Sequence, residues 1–211
     1  NVRGQGESPM KVGLPDLEGA VQDVDAILSY FQLDKVILVG HSWGGNPLQE
    51  YTYRHPERVL ALVMVDSWGQ HRYLSEKERG RIKYSSLMYK TIPWKVIADK
   101  NSKMCTDNPI TRELVKTAII ETGRDVFLNL GITGFLAVHE IEGYKGNPPM
   151  LLVRGENDFP KYLKIIYDGI IALNPNACQV TISDSKHQPM NDHPKEFNQI
   201  VGEFFEEVVA L

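Results

Sequence analysis

Cysteine is nearly absent from this sequence. Two occur in 211 residues, Cys105 and Cys178, far apart and without metal-type spacing around them. Neither a disulfide framework nor a thiolate zinc site is expected, and a reducing compartment, the cytoplasm, fits best. Surplus charge is missing too. The 23 Lys and Arg stand against 27 Asp and Glu, a net charge of -4, without the basic excess of a nucleic-acid binder. No apolar run approaches the ~20 residues needed to cross a bilayer. Repeats, low-complexity tracts and charge blocks long enough to form a tail are all lacking. What remains is ordinary globular composition, 42% hydrophobic and 24% charged, in a chain long enough to bury a core without staples. Nucleic acid and membrane are not expected as partners, no metal or organic cofactor is implied, and the oligomeric state is left open.

Short apolar runs alternate with helical patterns along the chain. Asp16 is an N-cap, with Leu17, Val21, Val24, Leu28 and Phe31 at helical spacing behind it. Val36-Ile37-Leu38-Val39 has no polar alternation, as expected of a parallel strand covered on both sides. A helix over about Asn46 to His55 and a second buried strand over Val59 to Val65 follow. Residues 68–147 are mostly helical, with breaks expected at Pro93, Pro109, Gly123, Gly131 and Gly146. The strand–helix rhythm resumes with Met150 to Val153, a helix to Leu173, and a strand over Gln179 to Ile182. A last helix from Pro194 carries Phe197, Ile200, Val201, Phe204 and Val208 on one face. This rhythm predicts a parallel α/β sheet with right-handed crossovers and a helical insertion over it.

Chemistry concentrates at Gly40-His41-Ser42-Trp43-Gly44, between a strand and a helix. A nucleophilic serine must project from a tight strand-to-helix turn, and both flanking glycines are expected to be sterically required there. A serine hydroxyl needs a base, and histidine suits that role near neutral pH. Of six histidines, His41 lies in the turn, pointing away from the hydroxyl. His55 and His193 precede prolines and are expected at helix boundaries. His71 and His139 fall in the insertion without a nameable partner. His187 follows the last strand, at the sheet edge that also carries Ser42, and is the expected base. Asp158, just past the strand ending at Val153, is the expected orienting acid, in the order Ser42, Asp158, His187. Asp66 is the rival position, read as a loop cap, and Glu156 is expected to face solvent or a helix N-terminus.

These residues resemble the α/β-hydrolase family, specifically its cap-bearing serine hydrolases. Val36 to Gly45 is similar to the nucleophile strand and elbow, Arg58 to Asp66 to the next strand, and Met150 to Asp158 to the acid-bearing strand. His187 to Asn198 is similar to the histidine loop and final helix, and Arg3-Gly4-Gln5-Gly6-Glu7-Ser8 resembles the family's R-G-x-G-x-S turn. Asn1 stands where Asp is frequent, and Lys186 where glycine is usual. The resemblance implies an α/β-hydrolase core at 1–67 and 148–211 with a helical cap at 68–147. It implies a Ser42–His187–Asp158 triad, Trp43 N–H as an oxyanion donor, and His41, Trp68 and Trp94 at the substrate site.

In the family four strands precede that first turn, and they and one oxyanion-hole loop have no counterpart here. The expectation is a C-terminal portion of a longer hydrolase, with about four parallel strands and one open edge, so the lack of a signal peptide at Asn1 carries little weight. Tyr73, Tyr84, Tyr89, Trp94, Phe127 and Phe135 are placed to wall an acyl pocket or to pack the cap. Basic residues from Arg72 to Lys103 are either a lure for an anionic substrate or a solvated face. The expected activity is a carboxylesterase on a small or medium ester. The alternatives are a lactonase, a C–C bond hydrolase of an acidic diketone, or a non-catalytic binding protein on this scaffold.

Overall fold

A computed structural model describes residues 1–10, 13–69, 75–136 and 148–210. Four strands, β1 (Val36–His41), β2 (Val59–Val65), β3 (Met150–Gly155) and β4 (Ala177–Ile182), form one parallel sheet in the order β1-β2-β3-β4. Parallel neighbours cannot be joined by a tight turn, so each crossover carries helix. Helix α1 (Leu17–Tyr30) precedes the sheet and α2 (Gly45–Arg54) joins β1 to β2. Four helices join β2 to β3: α3 (Glu76–Tyr89), α4 (Trp94–Cys105), α5 (Pro109–Thr122) and α6 (Arg124–Leu136). Then α7 (Pro160–Leu173) joins β3 to β4, and α8 (Pro189–Asp192) and α9 (Pro194–Val209) close the chain.

Side chains alternate across the pleat and feed two cores. Leu62, Met64, Met150 and Leu152 pack with Val21, Leu28, Tyr51, Leu163 and Tyr167 of α1, α2 and α7. Ala61, Val63, Val65, Leu151 and Val153 pack with Val201, Phe204 and Val208 of α9. Burial on both faces explains why β2 and β3 read as unbroken apolar runs. Each such Leu or Met contributes on the order of 1.5–3 kcal/mol. Strand β1 departs from the expectation of cover on both sides. Leu38 is buried, but Val39 is 47% exposed, because α9 packs on the central strands and reaches β1 only near Ile37.

Helix α1 begins at Asp16, whose carboxylate accepts from Gly19 N at 2.7 Å. Its apolar stripe seats Val21 and Leu28, but Phe31 is the C-cap and 63% exposed, one residue past the stripe's last buried turn. Arg3 donates to Asp23, one of its two bonds measuring 2.7 Å, and so ties the first turn of the chain to α1. Among the four inserted helices, α4 packs on α5 and α3 on α6, and α6 also meets the turn after β1. Gly131 is not a break, because it lies inside α6, where a helical glycine costs only about 1 kcal/mol relative to Ala. His71, Arg72, Tyr73, His139, Gly146 and Asn147 lie outside the described residues, as does the Phe135 side chain.

Candidate active site

Strand β1 ends at His41 and runs directly into a short 3-10 turn, Ser42–Gly44, before α2. Ser42 has a φ of 53°, the left-handed region that a non-glycine residue occupies only under constraint. The constraint is visible. A β-carbon on Gly40 would lie 2.7 Å from the Gly45 α-carbon, and one on Gly45 would lie 2.0 Å from Ser67 Oγ. Ser67 in turn donates through that oxygen to the Ser42 carbonyl at 2.7 Å. The two sterically required glycines are therefore Gly40 and Gly45. Gly44 has open space at its β-carbon position, which corrects the expectation drawn from the motif spacing.

The turn projects Ser42 toward the loop after β4. Ser42 Oγ and His187 Nε2 are 2.7 Å apart, and His187 Nδ1 and Asp158 Oδ2 are also 2.7 Å apart. A carboxylate accepts only, so Nδ1 carries the imidazole proton and Nε2 is left to accept from the serine hydroxyl. Asp158 is 2% exposed, and the His187 side chain 18%. The imidazole is thus held from within by a buried partner and remains partly exposed. All three residues stand at the C-terminal ends of parallel strands, where crevices open in such sheets.

Three further groups hold this arrangement. His41 Nε2–H donates to the His187 carbonyl at 2.8 Å, and the two rings lie 4.9 Å apart. Burial, with the neighbouring His187 ring, pushes His41 down to about 4, so it is a neutral donor near pH 7. Asp66, at a φ of 44° past β2, accepts from Gly155 N at 2.9 Å. Its carboxyl lies beside that of Asp158, and burial together with that neighbour pushes it up to about 9. Asp66 is therefore a buried neutral acid rather than a loop cap, because it is walled off from water on all sides. The inserted helices contribute the third hold. Thr106, between α4 and α5, donates to Asp192 Oδ1 at 2.6 Å, and Lys186 pairs with Asp107 at 2.6 Å.

The ligating atoms of Asp66, Asp158 and His187 lie within 4.8 Å of one another. His187 Nδ1 is already bonded to Asp158, and burial beside Asp158 favours the neutral form of Asp66. Cys105 sits close to the same carboxyls. Burial, with Asp158, Asp192 and Asp66 nearby, pushes its thiol up to about 12 and leaves it a poor nucleophile.

Of the other expected site residues, Trp43 adjoins Ser42, whereas Trp68 and Trp94 lie in separate aromatic clusters. Trp43 lies under α6, where a β-carbon on Gly134 would be 2.5 Å from its ring, and Asn46 Nδ2 donates to Gly134 O at 3.0 Å. Trp68 packs at the edge of the α7-side core, its ring 6.5 Å from Phe159 and 6.3 Å from Tyr162. Trp94 stands edge-on to Phe127 at 5.5 Å with the Arg124 guanidinium 6.0 Å above it, inside the helical insertion. Tyr84 and Tyr89 are exposed. Glu156 is exposed, and its carboxylate accepts from Asp184 N at 3.2 Å. His55 and His193 are helix-boundary residues, as their following prolines imply.

A family model described as alpha/beta hydrolase fold matches residues 1–103. A Haemophilus influenzae protein classed as an esterase/lipase is 25% identical over 182 residues, which cover 79% of this chain and 58% of that protein. The chain thus spans under two thirds of the length of that relative. A solved thermophilic esterase superposes with a TM-score of 0.76 at 25% identity, over 99% of this chain and 79% of its own. The esterase of Thermogutta terrifontis gives a TM-score of 0.77 at 20% identity, over 99% and 78%. By sheet topology, family match and superposition together, the chain has the α/β-hydrolase fold.

Proposed function

We propose that this chain is a serine hydrolase that cleaves carboxylic esters of small or medium size through an acyl-enzyme. Ser42 Oγ attacks the ester carbonyl carbon while its proton passes to His187 Nε2. The oxyanion that forms is received by the backbone N–H of Trp43, the residue after the nucleophile. Collapse breaks the bond to the leaving alkoxide, which takes the proton from His187 and departs as the alcohol. Water then attacks the acyl-serine with His187 again as base, and the carboxylic acid leaves as Ser42 regains its proton. Asp158 keeps the proton on Nδ1 and offsets the charge of the transient imidazolium.

One observation carries this proposal: two consecutive 2.7 Å hydrogen bonds link a serine strained onto a turn, an imidazole and a buried carboxyl. The names of the relatives agree with ester substrates. Residues 68–147 act as a cap that shapes the acyl site, over a core of 1–67 and 148–211. The contacts of α6 with Trp43 and Asn46 support that division. Hydrolysis of p-nitrophenyl acetate and butyrate by the wild-type chain, with loss of about 10⁴-fold or more in Ser42→Ala, is expected. Equal turnover by Ser42→Ala would remove the serine mechanism, and turnover of lactones or diketones in place of esters would redirect the substrate class.

A further inference from the structure

We infer that the outward face of α3 is a docking surface for an anionic lipid bilayer. On an α-helix, residues three, four and seven apart share a face. Lys77, Arg81, Tyr84, Leu87 and Met88 share one in α3, and all five are exposed. Tyr84 is 67% exposed, Leu87 60% and Met88 50%. The opposite side, with Arg79 and Ile82, is the less exposed one and packs toward α6, as the bond from Arg79 to the Leu136 carbonyl shows.

A helix of a water-soluble surface normally turns its apolar residues inward. Here the apolar half-stripe points outward, and the chain after it carries the exposed Lys90, Lys95 and Val96, the last 43% exposed. From residue 79 to residue 98 there are five Lys and Arg and no Asp or Glu, in a chain whose net charge is -4. Glu76 and Glu78 are the acids at the N-terminal end of α3, and Glu78 is taken up by the capping box with Ser75.

Apolar side chains framed by lysine and arginine match a bilayer surface of negative lipid headgroups. Apolar groups enter the headgroup–acyl boundary while cations remain at the phosphate level. The outward apolar Ile165 on α7 lacks this charge pattern, because the adjacent Lys164 is already paired with Asp168 at 2.6 Å. Among the described residues no helix is long and apolar enough to cross a membrane, which bears on spanning a bilayer and not on lying against one.

The test is flotation of the whole chain with vesicles of phosphatidylcholine alone and of phosphatidylcholine mixed with phosphatidylglycerol. Binding to the mixed vesicles is expected, weakening as salt rises, and reduced about tenfold or more in both Lys77→Glu/Arg81→Glu and Leu87→Ser/Met88→Ser. Thermal unfolding of both variants is expected to match the wild type, since all four side chains face outward. Absence of binding to mixed vesicles at low salt would overturn the inference. So would equal binding by the variants, equal binding to neutral vesicles, or retention on immobilised DNA without vesicle binding.

Discussion

A β-carbon on Gly155 would sit 1.9 Å from the carbonyl oxygen of Lys186. The last residue of β3 therefore backs directly onto the loop that delivers His187, with Asn157 N donating to Ser185 O at 2.8 Å alongside. This contact sets the depth of His187. Gly155→Ala must push the loop outward, because the obstacle is backbone and cannot rotate away. A destabilisation of about 1–3 kcal/mol is expected, read as a lower urea midpoint, together with a larger proportional loss of esterase activity as His187 leaves hydrogen-bonding range of Ser42. Wild-type activity in Gly155→Ala would show that the loop relaxes without moving the base.

His41 predicts an acid limb in stability. Its folded-state value, about 4, lies below the ordinary 6.5. The unfolded chain therefore takes up a proton as pH falls through 6.5 while the folded chain does not, and stability drops between about 6.5 and about 4. The full effect is on the order of 3 kcal/mol. Gln at this position places an amide N–H near the Nε2 position and does not titrate. Urea denaturation of His41→Gln at pH 7 and pH 4.5 is expected to show a smaller loss than the wild type. Identical losses would mean that His41 titrates normally in the folded chain.

Asp66 predicts the opposite slope. With its carboxyl raised to about 9, the folded chain holds a proton that the unfolded chain has released above about 4. Its contribution is fully present below pH 4 and declines as pH rises toward 9, by at most about 1.4 kcal/mol per pH unit. Asp66→Asn keeps an oxygen for Gly155 N–H and never ionises. Relative to that variant, the wild type is expected to lose stability from pH 5 to pH 9. Parallel stability curves for the two proteins would contradict the neutral-acid assignment.

Much of the fold was legible because β2 and β3 are buried on both faces, so Val59 to Val65 and Met150 to Val153 read as unbroken apolar runs. Helix boundaries at Asp16 and Pro194 were legible because capping chemistry is local. Ser42, His187 and Asp158 were each placed at a strand end by that same rhythm. Contacts between distant segments left no sequence trace. The His41 bond to the His187 carbonyl spans 146 positions, and the required glycine at 45 depends on Ser67. Asp66 resembled a loop cap because nothing nearby in the sequence reveals that Asp158 and Gly155 enclose it. Gly131 was mistaken for a break because glycine punctuates helices only when packing does not hold them.

The most direct measurement is mass spectrometry of the chain after exposure to a fluorophosphonate, which phosphonylates an activated serine and releases fluoride. A single adduct on Ser42 is predicted for the wild type, absent in Ser42→Ala and slowed by at least about 100-fold in His187→Ala. A folded wild-type chain that stays unlabelled, or is labelled at a different serine, would contradict a hydrolase built on Ser42.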